Sequence, residues 1–182
     1  GQFLSGGESY RIEVTHGTDV HTITAKYVII ATGSVARQLP DVPVDNDLIC
    51  DNVGALSLKA VPKRLGVIGA GVIGLEMGSV WKRLGSEVMI LEAMPTFLPA
   101  ADEQIAKEAF RIFNGAQDLK IHTGAKIADI KRAKNVVTVT WQDREGKTQI
   151  SEFDRLIVAI GRLPNTSSIG AQSVGLAVDA KG

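Results

Sequence analysis

Gly69-Ala70-Gly71-Val72-Ile73-Gly74 is the stretch that decides the fold. The apolar run Arg64–Ile68 precedes it, a helical pattern follows it, and Glu92 closes the next apolar run. Glycines at this spacing between a strand and a helix, with an acid about 20 residues on, are what a dinucleotide-binding βαβ unit requires. Gly69 lets the chain turn off the strand, Gly71 lets the backbone approach a pyrophosphate, and Gly74 lets the helix close on the sheet. The unpaired N–H groups of the first helical turn then face the phosphates, aided by the helix dipole. The stretch therefore predicts that the chain holds NAD.

Working outward, Ile73, Met77, Val80, Trp81 and Leu84 fall on one helical stripe. Gly85 follows as a C-cap, and Val88–Leu91 reads as a buried strand ending at Glu92. An acid there would accept hydrogen bonds from the adenosine ribose hydroxyls. Ala93, Met94, Pro95 and Thr96 offer no cation for a 2′-phosphate, so the pattern predicts NAD(H) over NADP(H). The competing reading of Glu92 is an ordinary solvated strand end.

Lys+Arg and Asp+Glu each number 20, giving a formal net charge of zero. That balance argues against a nucleic-acid footprint or a membrane-surface patch. No apolar run approaches the ~20 residues of a membrane span, and no signal-peptide pattern opens the chain. Cys50 is the single cysteine, so no internal disulfide is available, and a reducing, cytoplasmic compartment is expected. Its place at the end of an apolar stretch reads as a small buried residue rather than a reactive thiol. His16, His21 and His122 show no metal-ligand spacing, and no metal site is expected.

Tyr10–Val14 and Val20–Thr24 read as a hairpin about Gly17-Thr18-Asp19. Lys26–Ala31 reads as a buried parallel strand ending in Thr32-Gly33-Ser34, and Asp154–Ile160 repeats that pattern before Gly161. The two segments are either a weak internal repeat or two unrelated strands. A crossing segment over residues 35–58 ends in a short helix near Asn52–Leu58. Asp102 caps a second helix with Ile105, Ala109, Ile112 and Phe113 on one face. Leu119–His122, Ala125–Lys131 and Val136–Trp141 alternate like a β-meander, and Asp143–Gly146 is a turn. The expected fold is α/β: a three-layer, Rossmann-like dinucleotide-binding βαβ unit with a β-meander, plus partial strands of a second domain. The hairpin lacks a helical cover and would be marginal alone. The sequence therefore predicts a fragment, with residues 1–58 a domain remnant and linker, 59–158 the NAD-binding domain, and 159–182 a return segment.

Tyr27–Ser34, Gly69–Glu76, Gly78-Ser79-Val80-Trp81 and Gly161-Arg162-Leu163-Pro164-Asn165 together resemble the two-dinucleotide flavoprotein disulfide reductases. Val80–Gly85, Leu91-Glu92-Ala93 and Asp102–Lys107 are most similar to the dihydrolipoyl dehydrogenase branch. The resemblance implies a parent that oxidises dihydrolipoyl groups on 2-oxo-acid dehydrogenase complexes, passing electrons through a disulfide and FAD to NAD⁺. It implies a homodimer in the bacterial cytosol or mitochondrial matrix. It also implies residue roles. Gly69, Ala70, Gly71, Val72, Ile73, Gly74, Leu75 and Glu76 would hold the NAD pyrophosphate and nicotinamide side, and Glu76 would position the nicotinamide against the flavin. Read without the resemblance, Glu76 is only a first-turn carboxylate favoured by the helix dipole. Glu92 would bind the ribose, the Ile127 backbone would meet the adenine region, and Gly161 would lie beside the nicotinamide half. Thr32, Gly33 and Ser34 would touch FAD, so residues 1–58 would be the tail of an FAD domain. The family's FAD glycine fingerprint, its Cys-x4-Cys pair and its His-Glu pair have no counterpart in these residues, so the chain alone is expected to bind NAD without catalysing the full reaction. Asn114–Asp118 departs from the family's helix end as a small insertion would. Two other readings stay open: another flavin disulfide reductase or NADH oxidase, and a non-catalytic NAD-binding module.

Overall fold

The computed structural model describes residues 1–182. They form two compact units, one of residues 1–35 with 162–182, the other of residues 36–161. In the first, β1 (Gln2–Ser5), β2 (Tyr10–His16) and β3 (Asp19–Ala25) make an antiparallel sheet in that order. His16 pairs with Asp19 across a two-residue turn, where Gly17 takes a positive φ of 61°. The hairpin is therefore as expected, with β1 added beside β2. The Phe3 N–H donates to the Ile169 carbonyl at 2.8 Å and Ser173 Oγ donates to the Phe3 carbonyl at 3.0 Å. Ile169 and Ala171 are buried, so residues 165–182 cover β1, while β3 stays open, with Val20 and Ile23 exposed.

The expected parallel strand at Lys26–Ala31 is not formed, and Ile29 is 91% exposed. A β-branched run becomes a strand only when a neighbour satisfies its N–H and C=O groups, and no strand lies beside this one. Only the downstream half of the suspected repeat is therefore a strand. The segment after Tyr27–Ile30 gives β4 (Ser34–Ala36).

Residues 36–161 hold β5 (Ile49–Cys50), α1 (Asn52–Leu56), β6 (Arg64–Ile68), α2 (Val72–Arg83), β7 (Glu87–Glu92) and α3 (Glu103–Phe110). They continue through β8 (Ile121–Thr123), β9 (Lys126–Ala133), β10 (Val136–Gln142), β11 (Thr148–Phe153) and β12 (Arg155–Val158). In the first unit, β13 (Arg162–Pro164) pairs with β4. Asp51 and Asp102 cap α1 and α3, each accepting N–H bonds from the first turn. A parallel sheet runs β5-β12-β6-β7-β8, and an antiparallel sheet runs β11-β10-β9. The expected meander thus takes its third strand from Thr148–Phe153, while Ile121–Thr123 joins the parallel sheet. Residues 36–58 pack with this unit rather than the first, because Leu48, Ile49 and Cys50 are buried in its core.

Strand alternation builds three layers. Leu65, Val67, Val88, Ile90 and Ile157 face one apolar cluster with Leu75, Trp81 and Ala106 of the helices. Ile68, Leu91, Leu156 and Val158 face a second cluster with Val137, Val139, Trp141 and Phe153 of the antiparallel sheet. Two helix faces differ from the periodic expectation. On α2 the buried positions are Gly74, Leu75, Gly78, Ser79 and Trp81, while Val80 and Leu84 are exposed. A Cβ on Gly78 would sit 3.1 Å from Ile90 Cδ1, so small residues, not the apolar stripe, set this close helix–sheet approach. On α3, Ala106 is buried with Ala109, Phe110 and Phe113 packed against the same cluster, whereas Ile105 is 65% exposed and Ile112 is also exposed. Beyond α3, Arg111–Ala116 is a π-helical turn in which Gln117 N–H reaches the Ile112 carbonyl.

The sheets are joined at Asp154. Arg64 donates its backbone N–H at 2.9 Å and a guanidinium N–H at 3.0 Å to the two Asp154 oxygens. Burial pushes the Asp154 carboxyl up, but these donors outweigh it and hold it below its ordinary 3.8. A carboxylate with a depressed folded value stabilises above its unfolded value, and that contribution is lost as pH falls through the folded one. Asp154→Asn is expected to lose about 1–2 kcal/mol at pH 7. The gap from the parent in urea midpoint should shrink at pH 3, and a gap of constant size would exclude the ion pair as its source.

Candidate dinucleotide site

The site lies at the carboxyl ends of β6, β7 and β12, where parallel sheets open a crevice. The loop leaves β6 with Gly69 at φ +102°, and its N–H donates to the Leu91 carbonyl at 2.8 Å. A Cβ on Gly69 would lie 2.4 Å from the Ala159 carbonyl oxygen. A Cβ on Gly74 would lie 2.0 Å from the Gly69 carbonyl oxygen. Both glycines are thus demanded by the protein's own backbone. Gly71 is different. Its φ is −73°, and a Cβ there would meet nothing within 4 Å. It is the N-cap of α2 and supplies no side-chain hydrogen bond to the first turn. An open face over capless helical N–H groups fits an anionic diphosphate.

Glu92 is half-buried at the end of β7. Its Oε2 accepts the Ala70 N–H at 2.7 Å and its Oε1 accepts the Met94 N–H at 2.7 Å. The carboxylate is therefore held by backbone donors from the glycine loop and from the turn after β7. Each oxygen keeps acceptor capacity for a hydroxyl. The structure thus joins Glu92 directly to Gly69–Gly74. It departs from the reading of a cation-free turn in one respect. Arg144, 49 residues on, donates to the Pro95 carbonyl at 2.9 Å. Nothing local in the sequence signals that contact.

Ala70 and Leu75 are buried, Ile73 is half-buried and Val72 is exposed beside the opening. Glu76 is exposed and lines a cleft of about 630 Å³ with Val72, Leu75, Val80 and Leu98. It is not a first-turn residue, since α2 starts at Val72 and its first turn has no acid. The dipole falls off within one turn, so that account of Glu76 fails. Ile127 lies on β9 opposite Trp141, and two residues before it the Ala125 N–H donates to the Glu92 carbonyl at 2.9 Å. Gly161, at φ +115°, follows the β12 end that abuts Gly69. In the other unit, the Thr32 and Gly33 carbonyls accept from Asn165, and Ser34 Oγ accepts from Arg162 at 2.7 Å.

Cys50 is fully buried, and burial together with nearby Asp45 pushes its thiol up to about 11, so it is a core residue. His122 is half-buried on β8 against the Trp141 ring at 5.0 Å, and burial lowers its pKa. No group of three or more His, Cys, Asp and Glu side chains is placed to hold a metal ion. No helix is long and apolar enough to cross a membrane.

The chain is 54% identical over its whole length to a dihydrolipoyl dehydrogenase of Cupriavidus necator, and it spans 38% of that protein. It is 41% identical over 98% of its length to a mitochondrial dihydrolipoyl dehydrogenase of Dictyostelium discoideum, spanning 37% of that protein. Among solved structures, the HOCl-induced flavoprotein disulfide reductase RclA of Escherichia coli, as the Cu(II) complex of a cysteine-to-serine mutant, superposes with a TM-score of 0.81 at 31% identity, over 100% of this chain and 39% of that one. LpdA of Mycobacterium tuberculosis superposes with a TM-score of 0.84 at 27% identity, over 99% of this chain and 39% of that one. Residues 5–182 match the family model for pyridine nucleotide-disulphide oxidoreductases, and the chain belongs to that family.

Proposed function

We propose that this chain is the NAD-binding part of a dihydrolipoyl dehydrogenase. The observation that carries the reading is Gly71, a glycine that no protein atom requires, at the mouth of a capless helix. Gly69–Gly74 would take the diphosphate on backbone N–H groups, and Glu92 would take the adenosine ribose. Glu76 and Gly161 would border the nicotinamide half, and Ile127 the adenine. FAD, met by Thr32, Gly33 and Ser34, would supply the two-electron relay between a dithiol and NAD⁺. The parent would oxidise dihydrolipoyl groups as a homodimer on 2-oxo-acid dehydrogenase complexes, in the bacterial cytosol or mitochondrial matrix. The domain reading that goes with this is an FAD-domain remnant and linker over residues 1–58, of which 36–58 pack with the NAD unit, an NAD domain over 59–158 and a return segment over 159–182. The likeness to RclA supports a second reading, another flavoprotein disulfide reductase with the same coenzyme site. Oxidation of dihydrolipoamide by the whole protein separates the two.

Calorimetry tests the site itself. NAD⁺ is expected to bind at least about tenfold more tightly than NADP⁺, because a 2′-phosphate would face the Glu92 carboxylate. Glu92→Gln is expected to weaken NAD⁺ by about tenfold. Equal affinity for the two coenzymes, or an indifferent Glu92→Gln variant, removes the ribose assignment.

A further inference from the structure

The turn that carries Glu92 is tied down from a distant hairpin. Met94 donates its N–H to Glu92 Oε1 at 2.7 Å, while its own carbonyl accepts the Gly124 N–H at 3.0 Å. The next carbonyl, of Pro95, accepts the Arg144 guanidinium at 2.9 Å. The Arg144 stem lies over Gly124, 3.6 Å from where a Cβ would stand. The β10–β11 turn that presents Arg144 is itself rigid. Asp143 Oδ1 accepts the Lys147 N–H at 2.8 Å, and its Oδ2 accepts Gln149 Nε2 at 2.9 Å. On the far side of the loop, Leu98 is held at a positive φ of 44°. A leucine keeps that conformation only where its surroundings over-determine it. Met94 and Pro95 are thus tied through their carbonyls to Gly124 and Arg144, and Arg144 is the charged anchor reaching them from the β10–β11 turn.

We propose that Arg144 is a positioning residue for the adenosine half of the coenzyme, acting through Glu92. By holding Pro95 it keeps the Met94 N–H on the Glu92 carboxylate, so that the acid is aimed before the ribose arrives. This rests on the nucleotide reading above. Arg144 is exposed, so its replacement leaves the core untouched.

The test is a binding cycle. Arg144→Ala is expected to raise the Kd for NAD⁺ and for ADP-ribose about fivefold to twentyfold, with Arg144→Lys within about threefold of the parent. Because the effect passes through Glu92, Arg144→Ala should add less than about twofold in a Glu92→Gln background. Amide exchange at Met94 should rise about tenfold in Arg144→Ala without any coenzyme present. An Arg144→Ala protein with parental affinity, or a loss that persists undiminished beside Glu92→Gln, overturns the proposal. The second outcome would assign Arg144 a direct contact with phosphate. A parent protein that takes up no NAD⁺ would remove the nucleotide reading and this inference together, whereas loss confined to the inference leaves NAD⁺ binding by the parent intact.

Discussion

Gly69→Ala is expected to destabilise the chain by about 3–5 kcal/mol, among the largest effects a single methyl group can have here. Two penalties act together. Gly69 sits at φ +102°, a region that L side chains rarely adopt and that strains them by about 1–3 kcal/mol. The new Cβ would also lie 2.4 Å from the Ala159 carbonyl oxygen and 2.9 Å from its carbon. Those are backbone atoms at the end of β12, and no rotamer change relieves them. Relief means moving the strand end whose Ala159 N–H donates to the Ile68 carbonyl at 2.8 Å, which weakens the β6–β12 pairing. Urea unfolding followed by tryptophan fluorescence reads the loss, since Trp81 and Trp141 sit in the two opposing clusters. A parental midpoint for Gly69→Ala would mean that the β6 and β12 ends do not approach as described.

The same methyl group two residues on should act in the opposite way. Gly71→Ala meets no atom within 4 Å and keeps an ordinary φ of −73°. Its stability loss should stay under about 1 kcal/mol, the difference between glycine and alanine at an N-cap. Coenzyme affinity should fall about 30-fold, near 2 kcal/mol, because the Cβ would stand where the diphosphate must approach. Calorimetry with NAD⁺ beside urea unfolding of the same sample separates the two quantities. An unfolded Gly71→Ala protein would mean that this glycine serves the fold, and a folded one with parental affinity would remove its assignment to the ligand.

The contrast between these glycines marks how far the sequence could be read. Spacing identified Gly69, Gly71 and Gly74, and the order strand, glycine loop, helix, strand and acid was legible because each signal is local. Periodicity also located α3 and its Asp102 cap. It failed where a face had to be chosen. The apolar stripe of α2 implied burial of Val80 and Leu84, yet Gly74 and Gly78 are the residues against the sheet. Tyr27–Ile30 failed for a related reason, since a strand needs a partner that its own residues cannot specify.

By itself, then, the sequence determined a βαβ unit, its glycine loop and the acid that closes β7, because those depend on backbone geometry within about 25 residues. Tertiary structure alone decided the rest. It set Gly69 against Ala159, drew the Glu92 carboxylate onto the Ala70 N–H, and brought Arg144 to Pro95. The Arg144 and Ala159 contacts join residues 49 and 90 positions apart, where chain spacing carries no information and only packing chooses the neighbour.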